Sequence, residues 1–458
     1  MINESSKAQE LQTFKPSASM RSFREIVKYV STLPISPWAF YILVFGLRRL
    51  GVLQNPSTAL KPSIRRIFVS HPYSSVGDMV LLLPLLERIR MEWPEAVVDI
   101  VVGSNASDLL TGVQGLGRIF VCGSQNTRGR LVGYYRRFFR NLLFYKRHIM
   151  PCDYDLAVAP RWGSIMTSEA VYLAFLTGAS RRVGYSASVG NGDSALDKLL
   201  THPVTGGEHE HESIRNLRVL ERAGLLTGPA VKESVVGNSI QSLQNLVRIS
   251  NPEWNRVKSL PEFVQTSSPY AVVSPGATRP FNRWPLERLA AVMQQLCELY
   301  SLHFYVVGAP SDALVCERLS RMAPRCATSV AGSTSLRQLT HLLARAELFL
   351  GMDSGIAHLA GGLGGATVVV SPFPSNCHEE HPNSPVRFRP CGPRVRVLQP
   401  EYPLFPCFPT CSVRASHCIE QITIDQVVSA SIALVGDHTI CADPHRIVTP
   451  NFSQGQGT

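Results

Sequence analysis

The sequence predicts an α/β protein made of two doubly wound halves that face each other across a cleft. Three observations predict it. Short apolar runs rich in Val and Ile alternate with longer helical patterns, the order expected of a parallel sheet wrapped by helices. That order stops at a polar stretch, Ser250 to Ser268, and then begins again. Each half also places a glycine turn between a strand and a helix, at the carboxyl end of a strand, where such sheets gather ligands.

In the first half, Arg65 to His71 (RRIFVSH) reads as a buried strand, and Gly77 and Asp78 open an apolar helix, Met79 to Met91. Val97 to Gly103, Ile119 to Cys122 and Asp155 to Ala159 read as further strands, followed by a helix over Ser164 to Leu176. In the second half, Tyr270 to Ser274 is a strand and Leu286 to Tyr300 a helix. His303 to Val307 is a strand, Asp312 to Met322 and Leu336 to Ala346 are helices, and Leu348 to Gly351 is a strand. Ser354 to Leu363 is a helix and Ala366 to Ser371 a strand. The expected domains are therefore an N-terminal extension, 1–62, two halves, 63–260 and 261–436, and a tail, 437–458.

Within the extension, Pro34 to Leu47 (PISPWAFYILVFGL) is apolar and is followed by Arg48 and Arg49. It falls short of the ~20 apolar residues that a membrane span needs. Two readings stay open: an interfacial segment with Trp38 and Tyr41 at the headgroup layer, or a helix packed on the protein's own surface.

The 458 residues are 45% hydrophobic, enough for a sizeable core, and 45 Lys+Arg against 34 Asp+Glu leave a formal charge of +11. That excess favours an anionic partner: a nucleic acid, a phospholipid surface or a phosphorylated sugar. No nucleic-acid-binding signature accompanies it. The eleven cysteines are scattered and no signal peptide precedes them, so the expectation is reduced thiols in a cytosolic enzyme. Cys407, Cys411 and Cys418 are spaced loosely like metal ligands, but a structural zinc usually takes four ligands and often a CxxC pair. His417 adjoins Cys418, and neighbours do not easily share one tetrahedral site; no metal is expected there.

Three motifs could carry chemistry. In Ser74-Ser75-Val76-Gly77-Asp78, Asp78 is either a helix cap or a general base at the mouth of the cleft. The turn Ser274 to Pro285 (SPGATRPFNRWP) offers backbone amides, Thr278, Arg279 and Arg283 to a phosphate, or is a polar loop in which Trp284 is a packing plug. Gly351 to His358 (GMDSGIAH) opens a helix whose free N–H groups suit an anion, with His358 one turn beyond Ser354, or is an ordinary strand–helix turn with a capped end and a satisfied histidine.

Together the motifs carry a resemblance. SHPYSSVGDMVLLLPLLERIRMEWPEAVVDIVVG, SPGATRPFNRWPLERLAAV and LGMDSGIAHLAGGLGGATVVVSPF resemble, in this order, segments of the glycosyltransferase family 9 heptosyltransferases. GEHEHESIRNLRVLERAGL resembles their interdomain helix, and CFPTCSVRASHCIEQITIDQVV their cysteine-bearing tail. The resemblance covers roughly residues 63–436. It implies the GT-B fold, two Rossmann-like domains facing across a cleft, with the donor on the C-terminal half and the acceptor on the N-terminal half. It implies inverting transfer of a heptose from an ADP-sugar to a lipopolysaccharide-core or other surface-glycan acceptor, with no protein-bound metal or other cofactor. A cytoplasmic location, with peripheral contact to the inner membrane, goes with that acceptor.

By the resemblance, Asp78 is the base, and Asp353, Ser354, Gly355, His358, Thr278, Asp312 and Thr334 serve the donor, with Arg279 and Arg283 beside them. Asn282 stands where the family commonly has a donor-contacting lysine, which leaves the donor's identity and activity open. The basic stretch Arg128 to His148, and in it Arg136, Arg137 and Arg140, is expected near an anionic acceptor together with Arg161, as a membrane-surface or phosphosugar contact, or else is an outer helix with a solvated basic face. Alternatives are a different donor with a small-molecule acceptor, or a non-catalytic nucleotide-sugar-binding or membrane-scaffold relative.

Overall fold

A computed structural model describes residues 26–29, 37–49, 63–73, 75–110, 113, 115–122, 145–160, 167–190, 194–207, 210–228, 243, 251–261, 263, 269–277, 279–376, 384–407, 413 and 416–436. Among these described residues the strands form two sheets, paired in parallel throughout.

The first sheet has seven strands: β1 (Ile26–Tyr29), β2 (Arg66–His71), β3 (Val97–Gly103), β4 (Leu116–Cys122), β5 (Leu156–Ala159), β6 (Arg181–Tyr185) and β7 (His202–Val204), in the order β1-β4-β3-β2-β5-β6-β7. The second has six: β8 (Tyr270–Ser274), β9 (His303–Val306), β10 (Ala327–Ser329), β11 (Leu348–Met352), β12 (Thr367–Val370) and β13 (Val395–Leu398), in the order β10-β9-β8-β11-β12-β13. Strand order reverses between β2 and β5 in one sheet and between β8 and β11 in the other, which is where doubly wound sheets bind ligands. The loops after β2, β8 and β11 carry the three motifs.

The main helices are α1 (Pro37–Arg49), α2 (Val76–Glu92), α3 (Thr167–Leu176), α4 (Glu212–Arg222), α5 (Asn251–Lys258), α6 (Leu286–Tyr300), α7 (Ala313–Met322), α8 (Leu336–Leu343), α9 (Gly355–Gly362) and α10 (Ile424–Gly436). Apolar packing explains their placement. The central strands are β-branched and buried on both faces, so helices must cover both. Val292, Met293 and Leu296 of α6 join Val427 and Leu434 of α10 on the outer face of the second sheet. On the inner side, one hydrophobic cluster runs without a break from Val69, Leu82 and Leu86 to Ala357, Leu359 and Val369. The two halves therefore share an apolar junction, with α2 and α9 in contact at its middle.

The structure adds to the sequence reading in several places. The strands β1, β6, β7, β10 and β13 were not expected. The helix read from Ser354 starts at Gly355, and that read from Asp312 starts at Ala313, after a tight turn Pro310–Asp312. Two pieces of the expected extension belong to the first half. Ile26–Tyr29 pairs with β4. In α1, Phe40 and Val44 are buried, and Phe40 stacks on Tyr172 of α3 at 4.1 Å between ring centroids. The other face of α1 exposes Ile42 and Phe45, with the Arg49 guanidinium over the Phe45 ring. The reading as a helix packed on the protein's own surface thus holds for Phe40 and Val44, while the side chains of Trp38 and Tyr41, which carry the interfacial reading, lie outside the described ones. The rest of the extension, the tail from 437 and the basic stretch up to residue 144 lie outside the described residues.

If α1 is part of the first core, Phe40→Ala should destabilise the protein by about 3–5 kcal/mol, the usual cost of emptying a buried aromatic site. Chemical denaturation measures this; a change under about 0.5 kcal/mol would place α1 outside the core.

Candidate functional site

The site is built where α2 of the first half meets α9 of the second. Ser75 is the N-cap of α2, and its Oγ accepts a hydrogen bond from the Asp78 N–H at 3.3 Å. The capping role therefore falls to Ser75, and Asp78 stands at the third helical position, half-buried. Gly77 beside it is buried because α9 lies directly on it. A Cβ on Gly77 would come within 2.8 Å of His358 Cδ2, and a Cβ on Gly355 within 2.9 Å of Val76 Cβ and 3.2 Å of the Gly77 nitrogen. One turn further, a Cβ on Gly362 would stand 3.0 Å from Val80 Cγ1. Helices approach this closely only where side chains are missing.

The contact brings Asp78 to the same place as Asp353, Ser354, Gly355 and His358. Ser354 is the N-cap of α9 but makes no side-chain cap. Its Oγ and His358 Nδ1 are buried and make no hydrogen bond within the protein. Buried polar atoms left in this way cost about 1–3 kcal/mol each, so both are poised for a ligand. The α9 N–H groups and dipole make the same place favourable for an anion. Burial holds the His358 imidazole down to about 4, with the Asp78 charge acting against that and His211 adding to it. His358 is therefore neutral at pH 7. Burial pushes the Asp353 carboxyl up to about 6.

The loop after β8 forms the adjoining wall. Trp284 is the plug that one reading made it: it is buried, its N–H meets Met352 Sδ at 3.3 Å, and its indole Nε1 donates to Ile422 O at 3.2 Å. This ties the loop to the end of β11, next to Asp353. Arg279 is exposed, with its guanidinium over Phe281. Arg283 Nε donates to Ala277 O at 3.1 Å, so that edge of its guanidinium is spent within the loop. Asn282 Oδ1 is buried without a partner.

Asp312 lies further along the same rim. Its Oδ2 accepts from the Ala309 N–H at 3.2 Å, and it sits against Gly276 and Gly308, where a Cβ would come 3.1 Å from its Oδ2 and 2.9 Å from its Cβ, respectively. Gly276 and Gly308, just beyond the ends of β8 and β9, thus leave room for this carboxylate between them. Thr334 is half-buried in the turn before α8. Thr278, Arg136, Arg137, Arg140 and Arg161 lie outside the described residues.

One support was not singled out from the sequence. His211, the N-cap of α4, is within 2.8 Å of Arg389 O and 3.5 Å of Cys391 Sγ, both on the second half. Burial alone would lower the His211 imidazole, but Cys391 and the Arg389 carbonyl raise it overall. Burial likewise raises Cys391, and its bonds to His211 and Ser213 more than reverse that. Glu212 Oε2 accepts from Arg215 and from Arg387 across the junction, each at 3.0 Å. Asn216 Nδ2 donates to Leu81 O at 3.1 Å, in the turn where Pro84 withholds an N–H from α2. The His-Glu-x-x-x-Asn pattern of the quoted interdomain segment was the signal for all three.

Comparisons with known proteins point to one family. Residues 170–414 match the family model described as "Glycosyltransferase family 9 (heptosyltransferase)". "Lipopolysaccharide heptosyltransferase 3" of Escherichia coli is 24% identical over 314 residues, 66% of this chain and 82% of the relative. The glycosyl transferase family 9 structure from Veillonella parvula superposes with a TM-score of 0.62 at 16% identity, over 83% of this chain and 100% of that one. E. coli heptosyltransferase WaaC with ADP-2-deoxy-2-fluoro heptose superposes with a TM-score of 0.56 at 16% identity, over 80% and 98%.

The Gly77 contact can be tested directly. Alanine is the better helix former by roughly 1 kcal/mol, yet in Gly77→Ala the steric conflict with His358 should win and destabilise by about 1–3 kcal/mol. Denaturation beside wild type decides it: a variant more stable than wild type would mean that α9 does not press on α2.

Proposed function

The chain belongs to glycosyltransferase family 9, and from that premise we propose that it is an inverting, metal-independent transferase moving a heptose from an ADP-heptose to a lipopolysaccharide-core acceptor. The observation that carries the reading is the convergence of Asp78 from one half with the Ser354–Gly355 helix start from the other. A glycosyl transfer needs a base for the attacking hydroxyl and a stabiliser for the leaving phosphate on opposite sides of one anomeric carbon. The ADP-heptose donor is supported by a relative of the same fold with an ADP-2-deoxy-2-fluoro heptose. The acceptor is supported by the lipopolysaccharide heptosyltransferase relative.

In the proposed step, the acceptor hydroxyl oxygen attacks the anomeric carbon and its proton passes to the Asp78 carboxylate. The bond from that carbon to the diphosphate oxygen breaks on the opposite face, and ADP leaves with the electron pair. Ser354 Oγ and the first α9 amides face the growing negative charge, where fixed donors lower the barrier more than they stabilise the ground state. Neutral His358 serves as a hydrogen-bonding group rather than a proton donor, given its low affinity for a proton. Asp312 and Thr334 are assigned to the nucleoside, and Arg279 to the diphosphate in place of the lysine that Asn282 replaces.

Among the described residues no helix is long and apolar enough to cross a membrane. The exposed Ile42 and Phe45 beside Arg49 support peripheral contact with an anionic leaflet on the cytoplasmic side.

The neutral Asn282 favours one other reading, a relative that binds the nucleotide-sugar without turning it over. Asp78→Asn separates the two. As a base, Asp78 should be worth about 10²–10⁴ in kcat, with donor KM near that of wild type. Equal ADP release from wild type and variant would leave the non-catalytic reading standing.

A further inference from the structure

We propose that Cys407, His417 and Cys418 bind one soft divalent metal ion, zinc or ferrous iron, which braces the donor loop from behind and takes no part in the transfer. The two thiols are buried, and the three ligand atoms all lie within 4.8 Å of one another. His417 Nδ1 is 3.2 Å from Cys407 Sγ and 3.5 Å from Cys418 Sγ. A tetrahedral zinc, with bonds of about 2.3 Å to sulfur and 2.0–2.1 Å to nitrogen, sets S···N separations of roughly 3.5 Å. The spacing therefore fits ligands around a metal, and two thiolates with a neutral imidazole would cancel its charge.

The sequence argued against neighbouring ligands, because successive side chains of an extended chain point to opposite sides. The backbone answers that objection. His417 has φ −150° and ψ −92°, outside the extended region, and the chain turns there so that both side chains reach Cys407. The Leu404 N–H also points at Cys418 Sγ, at 3.4 Å, a bond of the kind that supports a metal-bound thiolate. Buried cysteines usually act as small apolar groups; nothing in that role would bring two of them onto one imidazole nitrogen. The soft ligands select zinc or iron over magnesium or calcium. Cys411 lies outside the described residues, and the site is argued without it.

The site's place in the fold gives the ion its task. The segment that carries it is fastened to the donor loop and to the helix that follows: Ser416 Oγ donates to Arg283 O at 2.6 Å, Trp284 Nε1 to Ile422 O at 3.2 Å, and Arg288 to Ile422 O at 3.1 Å. A metal closing Cys407 onto His417 and Cys418 fixes this segment, and through it Arg283 and Trp284.

The test is the metal content of the full chain, purified without a histidine tag in excess reductant. Wild type should hold about one equivalent of zinc or iron, and His417→Ala and Cys418→Ser less than about a tenth of that. Cys297→Ser, which removes a thiol elsewhere, should keep it. Since a variant can fail to fold, wild type stripped of metal is also titrated with Co²⁺. Tetrahedral d–d bands with a thiolate charge-transfer band support the site. The proposal is overturned if reduced wild type reconstituted with zinc or ferrous iron binds less than about a tenth of an equivalent. Octahedral cobalt spectra, full metal content in the folded variants, or a disulfide joining Cys407 to Cys418 in freshly lysed cells overturn it as well.

Discussion

The close approach of α2 and α9 is the constraint on which the rest depends. At Gly77, Gly355 and Gly362 the two halves approach too closely for larger residues to fit without a shift, and Asp78, Asp353, Ser354 and His358 lie within a turn of that contact. The glycines of both turns thus have a use beyond turning the chain: they set how near Asp78 comes to the start of α9. His358 adds to this. Its ring packs on Gly77, so it is buried and neutral, while its Nδ1 stays available.

A single contact between two helices would leave the halves free to rock. The α4 helix limits this by gripping both. Asn216 holds α2, while His211 and Glu212 hold the Arg387–Cys391 segment of the other half. The Glu212, Arg215 and Arg387 cluster is buried, so its charges are worth having only as a set: removing one partner would strand another, at a cost of several kcal/mol. The Trp284 loop is held from the opposite side by the segment ending at Ile422. The centre is therefore framed by three supports from well-separated parts of the sequence.

Much of this was legible in the sequence, and what was not has physical causes. The central strands β2, β3, β8 and β11 are apolar runs because both their faces are buried, and such runs are visible locally. The edge and near-edge strands are not. β6 reads Arg-Arg-Val-Gly-Tyr and β10 Ala-Thr-Ser; they are strands because of pairing with distant neighbours. Even the buried Arg182 of β6 donates to the carbonyls of Ala179 and Leu199. Asp353, Ser354, Gly355 and His358 stood out as a pattern, but the meeting of His358 with Gly77 across nearly three hundred residues did not. Nor did His211, whose significance lies in Arg389 and Cys391. Asp78 could be read as cap or base from spacing alone; the Ser75 Oγ bond took over the cap.

The most direct test of the central claim is nucleotide-selective stabilisation of the purified protein, read as a thermal shift with ADP, UDP, GDP and CMP. A donor half built for ADP-sugars should be stabilised by ADP alone, by about 2.7 kcal/mol at a hundredfold excess over Kd. A shift with another nucleotide and none with ADP would contradict the donor assignment. No shift in a protein shown to be folded would contradict the reading of the α9 start as a diphosphate site.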